Sequence, residues 1–141
     1  MPQNTFKALV LTQEGKKTVA TIQQLALDDL PEGDVLVAVE YSSLNYKDGL
    51  AVTGKGKIVR QFPMVPGVDL AGTVLESSAP DYQVGYKVVL TGWSVGERYW
   101  GGYTQKARLQ SRWLVPLPAG MDTKTAMAIG TAGFTAMLCV M

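Results

Sequence analysis

The residues with the widest chemical repertoire stand side by side in the segment Asn45-Tyr46-Lys47-Asp48. An amide and a carboxylate can hold a ligand by hydrogen bonds, while a phenol or an ammonium group can give up a proton. The same segment is also typical of the start of a short helix, with Asn45 or Ser43 as N-cap, Asp48 near the third helical position and Tyr46 half-buried. From the residue pattern alone, capping is the favoured interpretation.

The chain lacks the residues from which metal sites and serine-nucleophile active sites are usually built. The chain has no histidine and a single cysteine, Cys139, whereas zinc sites are built from several of these ligands. It has no aspartate spacing typical of a calcium loop. A nucleophilic serine would lack the histidine that usually activates it. We therefore predict no metal site, and acid-base chemistry is left to Tyr, Asp, Glu, Lys or water.

Glycine-rich segments do not form a nucleotide-binding motif. Residues 49–56 come within one residue of a phosphate-binding P-loop, but Gly56 stands where a Ser or Thr must bind magnesium. The segment also follows a predicted short helix instead of a buried strand. No strand comes close enough before Gly130 to make residues 130–133 a dinucleotide-binding turn. The chain carries no dinucleotide-binding motif of its own.

A second cluster is the glycine-rich aromatic segment of residues 92–103. It could form one wall of an apolar pocket, with Trp93, Arg98 and Tyr99 as the candidate substrate-binding residues. Its alternative interpretation is a long hairpin loop stabilised by aromatic packing.

The elements that must position these clusters are mostly short strands. Helical spacing predicts a short helix within residues 43–53, and Asp122 is a good N-cap for a nearly apolar helical region, interrupted by glycines, that follows it. Gly72 lies within a predicted strand and indicates a bulge or a close backbone approach. This pattern predicts a mainly β, barrel-like domain. Strands are expected at residues 6–12, 18–25, 35–41, 68–76, 87–91, 103–109 and 113–117.

Charge and cysteine content limit the binding partners and the cellular compartment that we expect for this chain. Thirteen Lys and Arg nearly balance twelve Asp and Glu, so no basic field attracts nucleic acid. One cysteine and the absence of an apolar signal region in residues 1–7 favour a cytoplasmic protein. The uncharged stretch at residues 125–141 is short for a membrane span and contains glycines. We expect buried protein there, with no membrane or nucleic-acid partner.

Four motifs in this order resemble a known family. They are similar to those of the N-terminal GroES-like domain of the medium-chain dehydrogenase/reductase superfamily, in the zinc-independent branch that includes acrylyl-CoA reductases and quinone-oxidoreductase-like proteins. The resemblance covers essentially the whole chain. Its motifs are Ser43-Leu44-Asn45-Tyr46-Lys47-Asp48, Pro66-Gly67-Val68-Asp69-Leu70-Ala71-Gly72-Thr73-Val74, Thr91-Gly92-Trp93 with Gly101-Gly102-Tyr103, and Ile129-Gly130-Thr131-Ala132-Gly133-Phe134-Thr135-Ala136.

The resemblance implies roles for single residues. Positions that hold catalytic zinc ligands in the zinc-dependent members are occupied here by Asn45 and Gly67-Val68-Asp69, so it implies no zinc. It implies that Asn45, Tyr46 and Asp48 lie beside the cofactor and substrate as catalytic and cofactor-binding residues. Thr131 is the further cofactor-binding residue that it implies.

The implied activity is NADPH-dependent reduction of an activated C=C bond in a small molecule, either a CoA thioester of the acrylyl type or a quinone. Hydride would reach the β-carbon while the carbonyl gains enolate character. Hydrogen bonds to such an oxyanion contribute about 3–4 kcal/mol each, and the Asn45 amide or a cofactor hydroxyl is a candidate donor. Lys55, Lys57 and Arg60 either meet the phosphates of CoA or form a solvated basic loop.

The resemblance also predicts the organisation of the chain. Residues 1–121 are expected to form a partly open GroES-like β-barrel, the substrate-side domain, and residues 122–141 a helical connection to a nucleotide-binding domain absent from this sequence. We expect the chain by itself to be inactive, and its apolar segment 122–141 to drive self-association into a homo-oligomer. The alternative is a non-catalytic GroES-like binding or assembly module.

The first prediction concerns the proton donor. A phenol is protonated at neutral pH and can still transfer a proton, so we expect Tyr46→Phe to lower kcat in a full-length enzyme that contains this chain. Steady-state turnover of the two proteins measures the effect. An unchanged kcat would remove Tyr46 from the proton path and leave water as the donor.

Overall fold

The computed structural model describes residues 4–141, so the first three residues of the segment examined for a signal peptide lie outside it. The architecture is mainly β, as predicted, with two α-helices. Two further single-turn 3₁₀ helices span Leu27–Asp29 and Ser111–Trp113. The strands are β1 (Thr5–Glu14), β2 (Lys17–Ala26), β3 (Val35–Ser42), β4 (Asp69–Ser77), β5 (Lys87–Thr91), β6 (Lys106–Leu109) and β7 (Val115–Pro116), and the helices are α1 (Tyr46–Thr53) and α2 (Thr123–Val140).

The strands form two sheets that do not close into a complete barrel. Strands β1 and β2 form an antiparallel hairpin from the two predicted strands at residues 6–12 and 18–25, and the other five make an antiparallel sheet in the order β6-β3-β4-β5-β7. The hairpin is joined to the rest through backbone bonds such as Leu11 N to Met64 O, at 2.7 Å. The last two strands are shorter than predicted: β6 begins only at Lys106, and β7 begins after the 3₁₀ turn of residues 111–113. The predicted mainly β, partly open architecture is confirmed.

The first half of strand β3 is buried on both faces, and both faces carry apolar side chains there. Val35 and Val37 belong to the main core of the five-stranded sheet. Leu36 points the other way, into a smaller core with Phe6 of the hairpin. Tyr41, an even number of positions from Val35 and Val37, would share their buried face in a regular strand, but it is exposed. A register shift between positions 39 and 41 inserts one unpaired residue and reverses the alternation there.

Gly72 lies opposite this bulge. A Cβ atom added at position 72 would overlap the carbonyl oxygen of Ala38 in the neighbouring strand. The close backbone approach predicted for this glycine is therefore confirmed. It lets β3 and β4 stay paired where the ladder is irregular.

Helix α2 consists of two arms separated at Gly130. Asp122 caps its start by accepting from Thr125 N at 2.7 Å, and Gly130 has φ 50° and ψ −161°, outside the helical region. The first arm packs Ala126 and Met127 against the sheet. The second arm leaves large apolar side chains exposed, with Phe134 62% accessible. Within residues 4–141, none of the helices has the length and apolar character needed to cross a membrane.

Glu40 is the residue that the bulge leaves unpaired, and it holds the start of α2. Its Oε2 accepts from Thr123 Oγ1 at 2.8 Å, and its Oε1 accepts from Lys87 Nζ at 2.8 Å and from Thr73 Oγ1. Burial by itself would raise the pKa of Glu40, but the hydrogen bonds from Lys87, Thr73 and Thr123 outweigh it and lower that pKa. The carboxylate therefore stabilises the folded state when it is charged.

The depressed pKa of Glu40 gives a pH-dependent prediction. Its stabilising effect is present above the ordinary pKa of 4.5 and is lost as the pH falls through the lower folded-state pKa. We expect Glu40→Gln to reduce the free energy of unfolding at pH 7 and to converge with the wild type on acidification. Urea titrations between pH 7 and pH 3 measure both, with the exposed carboxylate Glu76, changed to Gln, as the control. A difference that persists unchanged at pH 3 would contradict this account.

Candidate active site

Helix α1 begins at the predicted polar cluster and is held there by Asp48. Asn45 is the N-cap, and Asp48 Oδ2 accepts from the backbone N–H of Asn45 at 3.0 Å. Asp48 Oδ1 accepts from Val68 N at 3.0 Å, and the side chain is 1% exposed. The capping interpretation is confirmed for Asp48, while Asn45 occupies the N-cap position without a cap hydrogen bond from its side chain. Asp48 thus fixes the start of α1 to the segment that enters β4.

Asp69, the first residue of β4, is the second buried carboxylate of the site. It is fully buried, and its Oδ2 accepts from Ser43 Oγ at 2.6 Å and from Thr131 N at 2.8 Å. Its Oδ1 accepts from Thr131 Oγ1 at 2.5 Å, and Asn45 Nδ2 lies 3.4 Å from Oδ2. One carboxylate therefore joins the loop after β3, the start of β4 and the break in α2.

The break in α2 requires glycine at position 130. Its φ is positive, and a Cβ atom there would lie 2.8 Å from Asp69 Oδ2. The glycine directs the N–H of Thr131 to Asp69 and away from the regular helical pattern. This brings Thr131 beside Asn45, which lies 86 positions earlier in the sequence.

A cavity of about 200 Å³ lies in front of these two residues. Both Asn45 and Thr131 line it, so the structure brings together two of the residues predicted to bind the cofactor. Its walls combine apolar valines with polar and charged groups. The lining residues are Asn45, Lys47, Val68, Gly92, Ser94, Val95, Glu97 and Thr131.

Of the first cluster, Asn45 and Lys47 line this cavity, whereas Tyr46 and Asp48 do not. Asp48 is buried behind it, where its oxygens are occupied by backbone donors. Tyr46 is 84% exposed, so the expectation that it is half-buried was wrong. It lines a separate groove of about 570 Å³ with Leu50 and Lys55. Asn45 lines both the groove and the cavity and stands between them.

The aromatic loop contributes different residues from those predicted. Trp93 and Ser94 have φ of 55° and 61°, so a left-handed turn directs the Trp93 side chain outward, where Arg112 lies 6.0 Å from its ring centroid. Tyr99 packs on Trp113 with ring centroids 4.8 Å apart. The candidate substrate-binding residues therefore lie outside the cavity wall. The same loop lines it with Gly92, Ser94, Val95 and Glu97, while Trp93, Arg98 and Tyr99 stay untested as substrate contacts.

Charges at the cavity edge are paired. Lys47 Nζ lies 3.3 Å from Glu97 Oε2, and Arg60 Nε lies 3.7 Å from Glu97 Oε1. Both basic side chains are at least half exposed, so solvent screens these pairs and each contributes little to stability. Lys47 and Arg60 can therefore turn to an anionic ligand at small cost. Among residues 4–141, no three His, Cys, Asp or Glu side chains are grouped so as to hold a metal ion.

Tyr103 supports the site from behind. Its hydroxyl donates to the carbonyl oxygen of Ser43 at 3.0 Å. Burial, together with the negative charges of Asp48 and Asp69, raises the pKa of Tyr103 well above its usual value. The phenol therefore stays protonated and keeps donating to the loop that carries Asn45.

This fold and site place the chain in a family. Residues 31–119 match the alcohol dehydrogenase GroES-like domain, and the chain belongs to that family. The resemblance seen in the four sequence motifs is thereby confirmed.

Similar proteins are oxidoreductases. The chain is 61% identical over 138 residues to the acrylyl-CoA reductase AcuI of Ruegeria pomeroyi, a match that covers 96% of this chain and 42% of AcuI. It is 42% identical over 135 residues to YhfP of Bacillus subtilis, provisionally described as a quinone oxidoreductase, covering 96% of this chain and 41% of YhfP. The crystal structure of the Salmonella enterica oxidoreductase YhdH in complex with NADP superposes with a TM-score of 0.92 at 59% identity, covering 95% of this chain and 41% of YhdH. The chain thus spans about two fifths of the length of these relatives.

The structural role of Asp48 can be tested separately from any activity. We expect Asp48→Ala to lower the free energy of unfolding by about 3 kcal/mol, because two backbone N–H groups lose a buried acceptor. Chemical denaturation followed by tryptophan fluorescence measures the loss. Asp122→Ala, which removes an exposed helix cap, is the control and should cost less. Equal losses in the two variants would show that Asp48 acts only as an ordinary cap.

Proposed function

We propose that this chain is the substrate-side part of a zinc-independent, NADPH-dependent reductase that acts on an enoyl-CoA thioester of the acrylyl type. The observation that carries the proposal is the meeting of Asn45 and Thr131 on one cavity. Two segments far apart in sequence are held there by a buried carboxylate. Such a preorganised polar wall is what a cofactor and substrate require.

The cavity fits the nicotinamide end of the cofactor. Val68 and Val95 offer apolar surface to a flat ring, while Asn45 and Thr131 offer polar atoms beside it. When bound, the cofactor supplies the hydride for reduction. The residues of this chain orient the reacting groups and limit the access of water. The NADP complex of the similar Salmonella protein supports the choice of cofactor.

The long groove beside the cavity favours a CoA thioester over a quinone. It is lined by Asn45, by the apolar side chains of Leu44 and Leu50 and by Lys55. A thioester with its reactive end in the cavity could extend its long carrier arm along this groove toward a basic residue. A compact quinone would not use that length. The name of the Ruegeria relative agrees with this substrate class.

The remainder of the cofactor needs a region that this chain does not supply. Its sequence has no dinucleotide-binding motif, and its matches cover about two fifths of longer proteins. We propose that residues 1–121 form the substrate-side domain and that 122–141 connect to a nucleotide-binding domain. The exposed apolar side chains of the second α2 arm, including Phe134 and Met137, provide a surface for that contact.

The proposal predicts activity for the complete protein and none for the 141 residues alone. NADPH oxidation is followed by absorbance with acrylyl-CoA, with a benzoquinone and with free acrylate, which lacks the carrier arm. We expect kcat/KM to be highest for acrylyl-CoA, and added zinc or a chelator to leave the rate unchanged. Higher kcat/KM with the quinone would overturn the substrate assignment. Failure of the complete protein to bind NADPH would overturn the function itself.

A further inference from the structure

The hydrogen-bond donors of Ser43, Asn45 and Thr131 are directed mainly at the two buried carboxylates, Asp48 and Asp69. The hydroxyl of Ser43 donates to Asp69, as do both the hydroxyl and the backbone N–H of Thr131. The amide nitrogen of Asn45 lies 2.9 Å from Ser43 Oγ and 3.4 Å from both Asp48 Oδ2 and Asp69 Oδ2. Asn45 and Thr131, which line the cavity, therefore point their side-chain donors away from it.

No basic side chain competes with these donors for Asp48 or Asp69. Within the part of the chain that the structure describes, the ion pairs involve Glu97 and Glu40 and leave Asp48 and Asp69 without a basic partner. An ionised carboxylate can only accept hydrogen bonds, and a buried charge is costly unless it is well hydrogen-bonded. Neutral donors must therefore satisfy both carboxylates, which fixes the hydroxyl hydrogens and the orientation of the Asn45 amide.

The side-chain atoms that Asn45 and Thr131 leave for a ligand are acceptors. A hydroxyl has one hydrogen, so the Thr131 hydroxyl, which gives its hydrogen to Asp69, can only accept from a ligand in the cavity. An amide whose nitrogen faces two carboxylates leaves its oxygen for other partners, so Asn45 presents Oδ1. The expectation that the Asn45 amide donates to a developing oxyanion does not fit this arrangement.

We propose that Asp69 is a positioning residue that makes Asn45 Oδ1 and Thr131 Oγ1 a pair of acceptors, so that this wall selects a ligand group that donates hydrogen bonds. This inference rests on the proposed function, in which the ligand is a reduced nicotinamide cofactor. The donors available on its nicotinamide end are the carboxamide N–H₂ and the ribose hydroxyls. Asp69 acts through its neighbours and does not itself touch the ligand.

The first test compares cofactors that lack one donor. Binding to the complete protein is measured for NADPH, for its 3-acetylpyridine analogue, in which a methyl group replaces the amide nitrogen, and for a 2′-deoxy analogue at the nicotinamide ribose. We expect one analogue to bind about tenfold more weakly than NADPH, the usual effect of one lost hydrogen bond. The weaker analogue identifies the donor. Equal affinity for all three would overturn the proposal.

Substitutions at Thr131 provide matched controls. Thr131→Val keeps the shape of the side chain but removes the acceptor, so it should weaken NADPH binding about tenfold and reduce the discrimination between analogues. Thr131→Ser keeps a hydroxyl and should preserve both. A loss of affinity in Thr131→Val with unchanged discrimination would count against a role as acceptor. If the wild-type protein does not bind NADPH, the proposed function fails. The next test, which needs no ligand, still decides whether Asn45 presents an acceptor to the cavity.

The second test observes the Asn45 amide directly and needs no ligand. The chain has only two asparagines, Asn4 and Asn45, so their side-chain signals in a ¹H–¹⁵N spectrum are easily assigned. We expect the Asn45 Nδ2 hydrogens to exchange with solvent much more slowly than those of Asn4, which is exposed. Asp69→Asn should remove part of that protection. Equally fast exchange for both side chains in the wild type would contradict the assigned orientation, whether or not Asp69→Asn folds.

Discussion

The buried carboxylate of Asp69 is the group on which the geometry of the site depends. It receives hydrogen bonds from Ser43 and Thr131 and has the Asn45 amide close to it. A buried charge without a cation is stable only when such donors surround it. The loop after β3 and the break in α2 must therefore keep their positions relative to β4. The cavity between them is a consequence of satisfying this one carboxylate.

Two irregularities in the backbone make this arrangement possible. The bulge in β3 leaves Glu40 free to hold the start of α2 through Thr123. Gly130 then interrupts the helix so that Thr131 turns its N–H toward Asp69. Each feature depends on a glycine whose position has no room for a side chain: Gly72 opposite the bulge and Gly130 in the break. A regular sheet and an unbroken helix could not bring the same side chains together.

The fold could be predicted from sequence to a larger extent than the site. The strand positions and the Asp122 cap depend on neighbours within a few positions, and these predictions were confirmed apart from the shorter last two strands. The role of Asp69 depends on partners 26 and 62 positions away, so local pattern gave no sign of it. Only its place in the Gly67-Val68-Asp69 motif pointed to function. The outward direction of Trp93 was equally hidden, because a left-handed backbone at a tryptophan has no local signal.

Acceptors on the wall constrain how a negative charge could be stabilised in this site. An enolate oxygen placed against Asn45 Oδ1 or Thr131 Oγ1 would face lone pairs and would be destabilised. The charged donor that lines the cavity is Lys47, which is paired with Glu97 through a partly exposed contact. In the proposed reaction the carbonyl of the substrate would therefore turn toward Lys47 or toward a hydroxyl of the cofactor. In zinc-dependent members, by the same resemblance, the positions of Asn45 and residues 67–69 hold the catalytic zinc. Here those positions orient neighbouring groups, so stabilisation of the charge must come from elsewhere in the cavity.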